Sequence, residues 1–401
     1  MKKIYMDHNA TTPVHPEVFE EMLPFLKDEW GNPSSIHWAA RAPRKAIDDA
    51  REKVCAFLNC SPVEVIFTSC GSESDNLAIK GVALAKKSKG NHIITTRVEH
   101  PAVLNTCKYL EKEGFDVTYL DVDSEGLLSL DRLREAITPK TILITIMYVN
   151  NETGVIFPIG DIGKIAKERD ITFHTDAVQA AGKLPLDVKS LNCDLLSISG
   201  HKLYAPKGVG ALYAKRGVRL VPLIHGGHHE RNRRGGTENV AGIAGLGRAV
   251  EVAARDMEKE NERLKKLRDR LHKGLVERVP HVKLNGHPEK RVANTLNISF
   301  EFVEGESLLL NLDMLGIAAS SGSACTSGSL EPSHVLLALG LTPEVSHGSV
   351  RFSMGKSNTE EDIDYILEKM PPIVERMRSM SPLWDEAAKK GGAIAFEKKS
   401  C

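Results

Sequence analysis

Thr172-Phe173-His174-Thr175-Asp176-Ala177-Val178-Gln179 and Leu195-Leu196-Ser197-Ile198-Ser199-Gly200-His201-Lys202 are the two stretches that decide the fold of this chain. Each is an apolar run of strand length that ends on polar groups. The first delivers a carboxylate, Asp176. The second delivers an amine, Lys202, just past a glycine turn. A run that is apolar on both faces belongs to a strand covered on both sides, as in a parallel sheet.

The same reading extends outward. Val65-Ile66-Phe67-Thr68 precedes a helix over 72–86, His92-Ile93-Ile94-Thr95-Thr96 one over 101–113, Val117-Thr118-Tyr119-Leu120 one over 130–137, and Ile142-Leu143-Ile144-Thr145-Ile146 one over 159–169. Strands alternating with helices imply an α/β fold with a mostly parallel sheet between helical layers. Gly210-Ala211-Leu212-Tyr213 follows after a short connection, which fits an antiparallel strand at the sheet edge. A charged helix over 251–279, with Leu264, Leu267, Leu271 and Leu275 on one stripe, then bridges to a second domain. That domain has strands at 295–300 and 349–352 and helices near 306–315, 332–340 and 359–377. The tail after Pro382 has weak periodicity and is expected to be loosely ordered.

With 401 residues, 41% of them hydrophobic, the chain can bury a large core and is long enough for two domains. Its 53 basic and 53 acidic residues balance, so nothing marks it for nucleic acid or a membrane surface. No apolar run approaches the roughly 18 residues of a membrane span, and the N-terminus turns polar too soon for a signal peptide. Cysteines stand at 55, 60, 70, 107, 193, 325 and 401. Seven is an odd number and no Cys-x-x-Cys pair occurs, which argues against a disulfide framework or a zinc site. The chain reads as cytoplasmic, with reduced thiols.

In a doubly wound sheet, ligands collect at the carboxyl ends of the strands. An amine and a carboxylate there suit pyridoxal 5'-phosphate (PLP): the lysine holds its aldehyde as a Schiff base and the acid keeps its ring nitrogen protonated. A salt-bridged Lys–Asp pair accounts for the two residues equally well. Thr68-Ser69-Cys70-Gly71-Ser72-Glu73-Ser74 sets a glycine turn and a hydroxyl at a helix start, where backbone N–H groups favour a phosphate; a plain serine cap backed by Glu73 is the alternative. His100, in Val98-Glu99-His100-Pro101, could stack on a pyridine ring and handle protons as a catalytic group, or be a hydrogen-bonded structural histidine. Asn151, in Asn150-Asn151-Glu152-Thr153-Gly154, could donate to the phenolate oxygen of the cofactor or to a substrate carboxylate, or form an Asx turn. The cluster His225-Gly226-Gly227-His228-His229-Glu230 has no zinc spacing. The glycine-rich turn Arg233-Arg234-Gly235-Gly236-Thr237-Glu238-Asn239 offers a second phosphate contact. Arg351, a cation in an apolar strand, needs an anion, either a substrate carboxylate or a structural acid. Finally, Ala318 to Ser329 is a run of small and polar residues around one thiol, Cys325, which is either an accessible nucleophile on a mobile tether or an incidental cysteine in a surface loop.

Taken in order, Tyr5-Met6-Asp7-His8-Asn9-Ala10-Thr11-Thr12, Gly31-Asn32-Pro33-Ser34-Ser35, Phe67 to Asp75, Glu99-His100-Pro101-Ala102-Val103, Asn150 to Gly154, His174 to Gln179, Gly200-His201-Lys202 and Arg234 to Asn239 run through nearly the whole chain. In them the chain closely resembles the cysteine desulfurases among the class-V, fold type I PLP enzymes (the NifS/IscS family). The cysteine loop and its continuation Gly328-Ser329-Leu330-Glu331-Pro332-Ser333-His334 look like the nitrogen-fixation subtype.

The resemblance implies a large domain over 15–255 with a seven-stranded sheet, and a smaller α+β domain of 1–14 and 256–401 that carries the cysteine loop at 320–332. It implies that Lys202 holds PLP, Asp176 pairs with the ring nitrogen, Gln179 contacts the ring oxygen and His100 stacks on the ring. Gly71, Ser72, Ser199, Gly200 and His201 would hold the phosphate, with Thr237 supplied by the partner of a homodimer. Arg351 and Asn151 would take the carboxylate of L-cysteine, with Asn32 as a further candidate. Cys325 would receive the sulfur as a persulfide, releasing L-alanine, and pass it to an iron–sulfur scaffold protein, whose cluster it could contact; no metal of its own is implied. Ser72 stands where threonine is more usual and Gly235 where serine or alanine is, and neither removes a needed group; His8 stands where asparagine is commoner, a departure to which the resemblance attaches no consequence. A selenocysteine lyase or small-amino-acid aminotransferase on the same fold is the rival expectation, and a non-catalytic sulfur-carrier or scaffold partner a second.

Overall fold

A computed structural model describes residues 2–321, 331–381 and 384. The chain opens on β1 (Ile4–Tyr5), α1 (Pro16–Lys27) and α2 (Arg41–Leu58), and then alternates: β2 (Val65–Thr68), α3 (Gly71–Lys86), β3 (His92–Thr96), α4 (Pro101–Lys112), β4 (Asp116–Leu120), α5 (Leu130–Ala136), β5 (Thr141–Thr145), α6 (Ile159–Glu168), β6 (Thr172–Asp176), β7 (Leu195–Ser199) and β8 (Gly210–Ala214). These last seven strands form one sheet in the order β2-β8-β7-β6-β5-β3-β4. Six run parallel, and β8 runs against both of its neighbours. The expectation of an antiparallel strand holds for β8, but its place is not the edge: β2 pairs with its outer side. Every residue of β8 is buried, as an internal strand requires.

α7 (Val240–Arg278) follows, and starts 11 residues before the charged stripe that announced it. Its first turns carry Gly242, Gly245 and Gly247, which lower helix propensity and hide the helix from a pattern reading. The glycine at 247 has a packing reason. A Cβ there would stand 2.8 Å from Ala50 of α2, so glycine lets the two helices approach closely. α7 belongs to two cores. Ile243, Leu246 and Val250 pack on the large sheet, while Leu264, Leu267, Leu271 and Leu275 pack with the elements that follow.

Those elements are β9 (Val282–Leu284), β10 (Thr295–Phe300), α8 (Gly305–Met314), β11 (Ile317–Ala318), α9 (His334–Ala338), α10 (Pro343–His347), β12 (Ser349–Ser353) and α11 (Glu360–Ser379). β12, β10 and β9 make a three-stranded antiparallel sheet. β1 pairs in parallel with β11, and Ile4 and Met6 lie in the second core. The N-terminal strand is therefore packed with residues more than 250 positions away, and the segment after it, Asp7 to Thr12, is drawn across the end of the large sheet.

Candidate active site

A cavity of about 280 Å³ opens where the parallel strands end. It is walled by Gly71 and Ser72 after β2, His100 after β3, Met147 and Asn151 after β5, Asp176 and Gln179 after β6, and Ser199, His201 and Lys202 after β7. Arg351 of β12 and Asn9 and Ala10 of the N-terminal segment close it. Nine of the residues singled out from the sequence thus share one cavity with Lys202.

Lys202 ends the single turn Gly200–Lys202 that follows β7. Its Nζ donates to the carbonyls of Asn9 and Ala10, the latter at 2.6 Å. Gly200 supplies the turn, with its own N–H given to Val209 O at 2.9 Å. Asp176 is buried and accepts from Val178 N at 2.9 Å. Burial pushes its carboxyl up to about 6, against the pull of that N–H and of the Lys202 ammonium. Beneath it lie two groups that burial pushes toward their neutral forms. Burial holds His174 down to about 3; its Nδ1 lies 2.8 Å from Thr145 Oγ1 and its Nε2 3.0 Å from Ser197 Oγ. Burial, with Asp176 close by, holds the Asp75 carboxyl well above the usual range. Asp176 is therefore the group of this stack best placed to carry charge toward the cavity.

His100 caps α4, and its Nδ1 accepts from Ala102 N at 3.1 Å. Burial first, then the Lys202 ammonium, push its pKa down to about 4. The neutral ring must then carry its proton on Nε2. On the opposite wall, the cap of α3 is Cys70 and not a serine: Cys70 Sγ accepts from Glu73 N at 3.4 Å, while Glu73 Oε2 accepts from Ser69 N at 2.8 Å. Ser72 is left one residue inside the helix, on the cavity. Ser199 Oγ is buried with no partner. A Cβ on Gly71 would lie 2.7 Å from Val178 Cγ2 and 3.4 Å from Ser199 Cβ, so glycine keeps this cradle open.

Arg351 is 2% exposed, with Nη2 2.7 Å from Asp7 Oδ1 and Nη1 donating to Asn151 O at 3.1 Å. A structural acid is thus present, and Nε still lacks a partner, as does Asn151 Oδ1. Thr237 and Asn32 lie outside the cavity and are exposed; Asn32 Oδ1 accepts from Ser34 N at 2.8 Å. Cys325 lies outside the described residues. The residues on either side of 322–330 are joined to the cavity walls: Ser320 O accepts from Arg351 N at 2.7 Å, Ser333 Oγ donates to Glu152 Oε2 at 2.5 Å, and His334 Nε2 donates to Glu99 O at 2.9 Å.

The histidine-rich stretch at 225–230 is a structural clamp. Its Glu230 is buried, pairs with Arg51 of α2 at 2.7 Å and accepts from Phe67 N at 3.1 Å. Arg234 likewise pairs with Glu73 at 2.9 Å, the residue behind the α3 cap. Among the described residues no group of three or more His, Cys, Asp or Glu side chains could hold a metal ion. Glu230→Ala leaves the Arg51 guanidinium buried without its acid. It is expected to cost about 3–5 kcal/mol, read as a lower midpoint in thermal or urea denaturation.

Several residues of this site had no role assigned from the sequence. Asn9 joins it together: its O accepts from Gln179 Nε2 at 2.9 Å and from Lys202, and its Nδ2 donates to Asn151 O at 3.2 Å and Thr295 Oγ1 at 2.9 Å. Asp7 belongs with it. Both stand in a motif that could be quoted but whose place in space only long-range pairing reveals. Asp75 ends the motif Phe67 to Asp75 without a role assigned to it, and Lys183 carried no signal at all.

The unpartnered hydroxyl of Ser199, the open cradle at Gly71, and a buried carboxylate opposite a lysine fit the phosphate, ring and aldehyde of PLP. Fold and site together define an α/β enzyme of the PLP-dependent class. A protein-family model, "Aminotransferase class-V", matches residues 4–366, and the chain belongs to that family, whose cofactor is PLP. A cysteine desulfurase, IscS, of Clostridium botulinum (strain Hall) is 56% identical over 390 residues, covering 97% of this chain and 98% of the relative. Among solved structures, a NifS-like protein superposes with a TM-score of 0.88 at 40% identity, over 94% of this chain and 100% of that one. SspA in complex with cysteine superposes with a TM-score of 0.79 at 42% identity, over 88% and 99%.

Proposed function

We propose that this chain is a PLP-dependent cysteine desulfurase that converts L-cysteine to L-alanine and takes the sulfur onto Cys325. The observation that carries this reading is the convergence of Lys202, Asp176 and His100 with Arg351 and Asn151 in one cavity. When bound, PLP supplies an electron sink for the α-carbon of the amino acid.

The chain's own residues do the rest. Lys202 holds the aldehyde, and Asp176 holds the ring nitrogen in its protonated form. Gln179 and His100, both on the cavity wall, would contact the ring oxygen and the ring face. The N–H groups at the start of α3, with Ser72, Ser199 and His201, hold the phosphate. Arg351 and Asn151 orient the substrate carboxylate, Arg351 through the donor that Asp7 and Asn151 O leave available. With the cofactor bound, the Lys202 amine would also be the base that moves the α-proton. The Cys325 thiolate attacks the substrate sulfur: an S–S bond forms, the Cβ–S bond breaks, its electron pair stays with the carbon, and protonation of that carbon gives alanine.

The same proposal includes a homodimer, a cytoplasmic setting, and delivery of the sulfur to an iron–sulfur scaffold protein, in particular for nitrogenase-related assembly. Support for the dimer is an exposed apolar group at the end of α1 and beyond it, Leu26, Trp30, Ile36 and Trp38, together with the position of Thr237 outside its own chain's cavity.

The test is mass spectrometry of the protein after mixing with L-cysteine. An added mass of about 32 Da on the peptide bearing Cys325, absent from Cys325→Ala, is the covalent intermediate the reading requires. Alanine accumulating with no sulfur ever on Cys325 would refute it.

A further inference from the structure

Lys202 is not the only lysine at this centre. Lys183 lies beyond β6, and its Nζ donates to Gln179 Oε1 at 2.8 Å and to Asn9 Oδ1 at 3.4 Å. The other end of the same amide, Gln179 Nε2, donates to Asn9 O at 2.9 Å. An ammonium is only a donor and a backbone carbonyl only an acceptor. The Gln179 amide therefore has one allowed orientation. Turned over, it would set its NH2 against the ammonium and its oxygen against a carbonyl. Held as it is, Gln179 has one N–H of Nε2 left over, and Gln179 lines the cavity.

Behind this wall lies a second, smaller cavity of about 60 Å³, lined in part by Lys183, Lys202 and His8. His8 is 4% exposed and neither ring nitrogen has a partner. Lys183 thus lines this second cavity and not the first. Its ammonium is poorly solvated: burial first, then Lys202 and Arg351, bring its pKa down to about 7. A lysine is retained there against a desolvation cost, with an amide oxygen as its nearer partner, at 2.8 Å.

We propose that Lys183 is a positioning residue for the reaction: its ammonium locks the Gln179 amide so that an Nε2–H, and not the oxygen, is presented to the ring oxygen of PLP. This rests on the reading of the cavity as a PLP site, and it concerns a residue that touches neither substrate nor cofactor.

A double-mutant cycle on the holoenzyme tests it, with Lys183→Met, Gln179→Ala and the two combined. Two quantities are read: kcat for alanine formation, and the position of the cofactor's absorption band, near roughly 400 nm for a Schiff base. Lys183→Met is expected to shift the band and lower kcat by about 10–100-fold, the range of a hydrogen bond to a charged group. The double variant is expected to be no worse than Gln179→Ala and to show its band, because Lys183 acts only through Gln179. Should Lys183→Met not fold, Lys183→Ala goes through the same cycle with the same expectations, and Lys183→Gln, which keeps a donor, is expected to retain more activity than whichever of the two deletions folds. Independent, multiplying effects, or an unmoved band in Lys183→Met, overturn the proposal while leaving the PLP reading intact. A wild-type protein that takes up no PLP overturns both.

Discussion

Lys202→Ala is expected to abolish alanine formation from L-cysteine, by at least about 10⁴-fold, because in the proposed mechanism one amine serves both as the Schiff-base partner and as the base. The loss should be chemical and not structural. Asn9 O keeps its bond from Gln179 Nε2 when Lys202 is removed, and the turn at 200–202 is held by backbone bonds of Gly200 to Val209 O and of Leu203 to Gly200 O. The thermal midpoint should therefore stay close to that of the parent. Borohydride should bleach the absorption band of the parent and leave the cofactor attached at Lys202, as seen in the peptide mass. In Lys202→Ala no cofactor should be retained after denaturation. Turnover within tenfold of the parent would show that another group carries the proton.

Asp176→Asn is expected to lower kcat by about 10²–10⁴-fold, the range over which one correctly placed proton acts, while leaving cofactor bound. The amide oxygen can still accept from Val178 N, as the acid does at 2.9 Å. What changes is the side offered to the ring nitrogen, from an acceptor with negative charge to a donor. Nothing nearby can compensate, since burial keeps His174 neutral and raises Asp75 toward its neutral acid. The Asp176 carboxyl, pushed up to about 6 by burial, is lowered again when a cation lies beside it. Loading PLP should thus release a proton near pH 6 in the parent and not in Asp176→Asn, measured by calorimetry in buffers of different ionisation enthalpy. An undiminished kcat in the variant would remove Asp176 from the ring.

Much of the large sheet was legible because its strands are buried on both faces. Such strands read as largely apolar runs, β3, β5 and β7 above all, and helices of ordinary period separate most of the strands, though none stands between β6 and β7. The polar residues that end those runs had to lie on one rim, which is why Asp176, Lys202 and His100 could be grouped from the sequence. β8 shows the limit of that logic. Its apolar run identifies a strand, but whether it sits at the edge depends on what pairs with its other side, and that partner, β2, lies about 145 residues upstream. The start of α7 was hidden for another reason. Its glycines are poor helix formers that are there for close contact with α2, and such contact leaves no periodic trace.

The sequence by itself determined the chemistry available to this protein: an amine and an acid at strand ends, a phosphate-binding helix start, an arginine in an apolar strand, and a lone thiol among small residues. Local pattern suffices there, because strand, turn and helix start are set by residues close in the chain. The tertiary structure decided which of these groups meet and what holds them. It brought Asp7 to Arg351, Asn9 between Lys202 and Gln179, and Lys183 to the back of the Gln179 amide. Those contacts join residues up to 344 positions apart. They exist because β1 is carried into the second core by its pairing with β11, and no local preference of the chain encodes where a strand will find its partner.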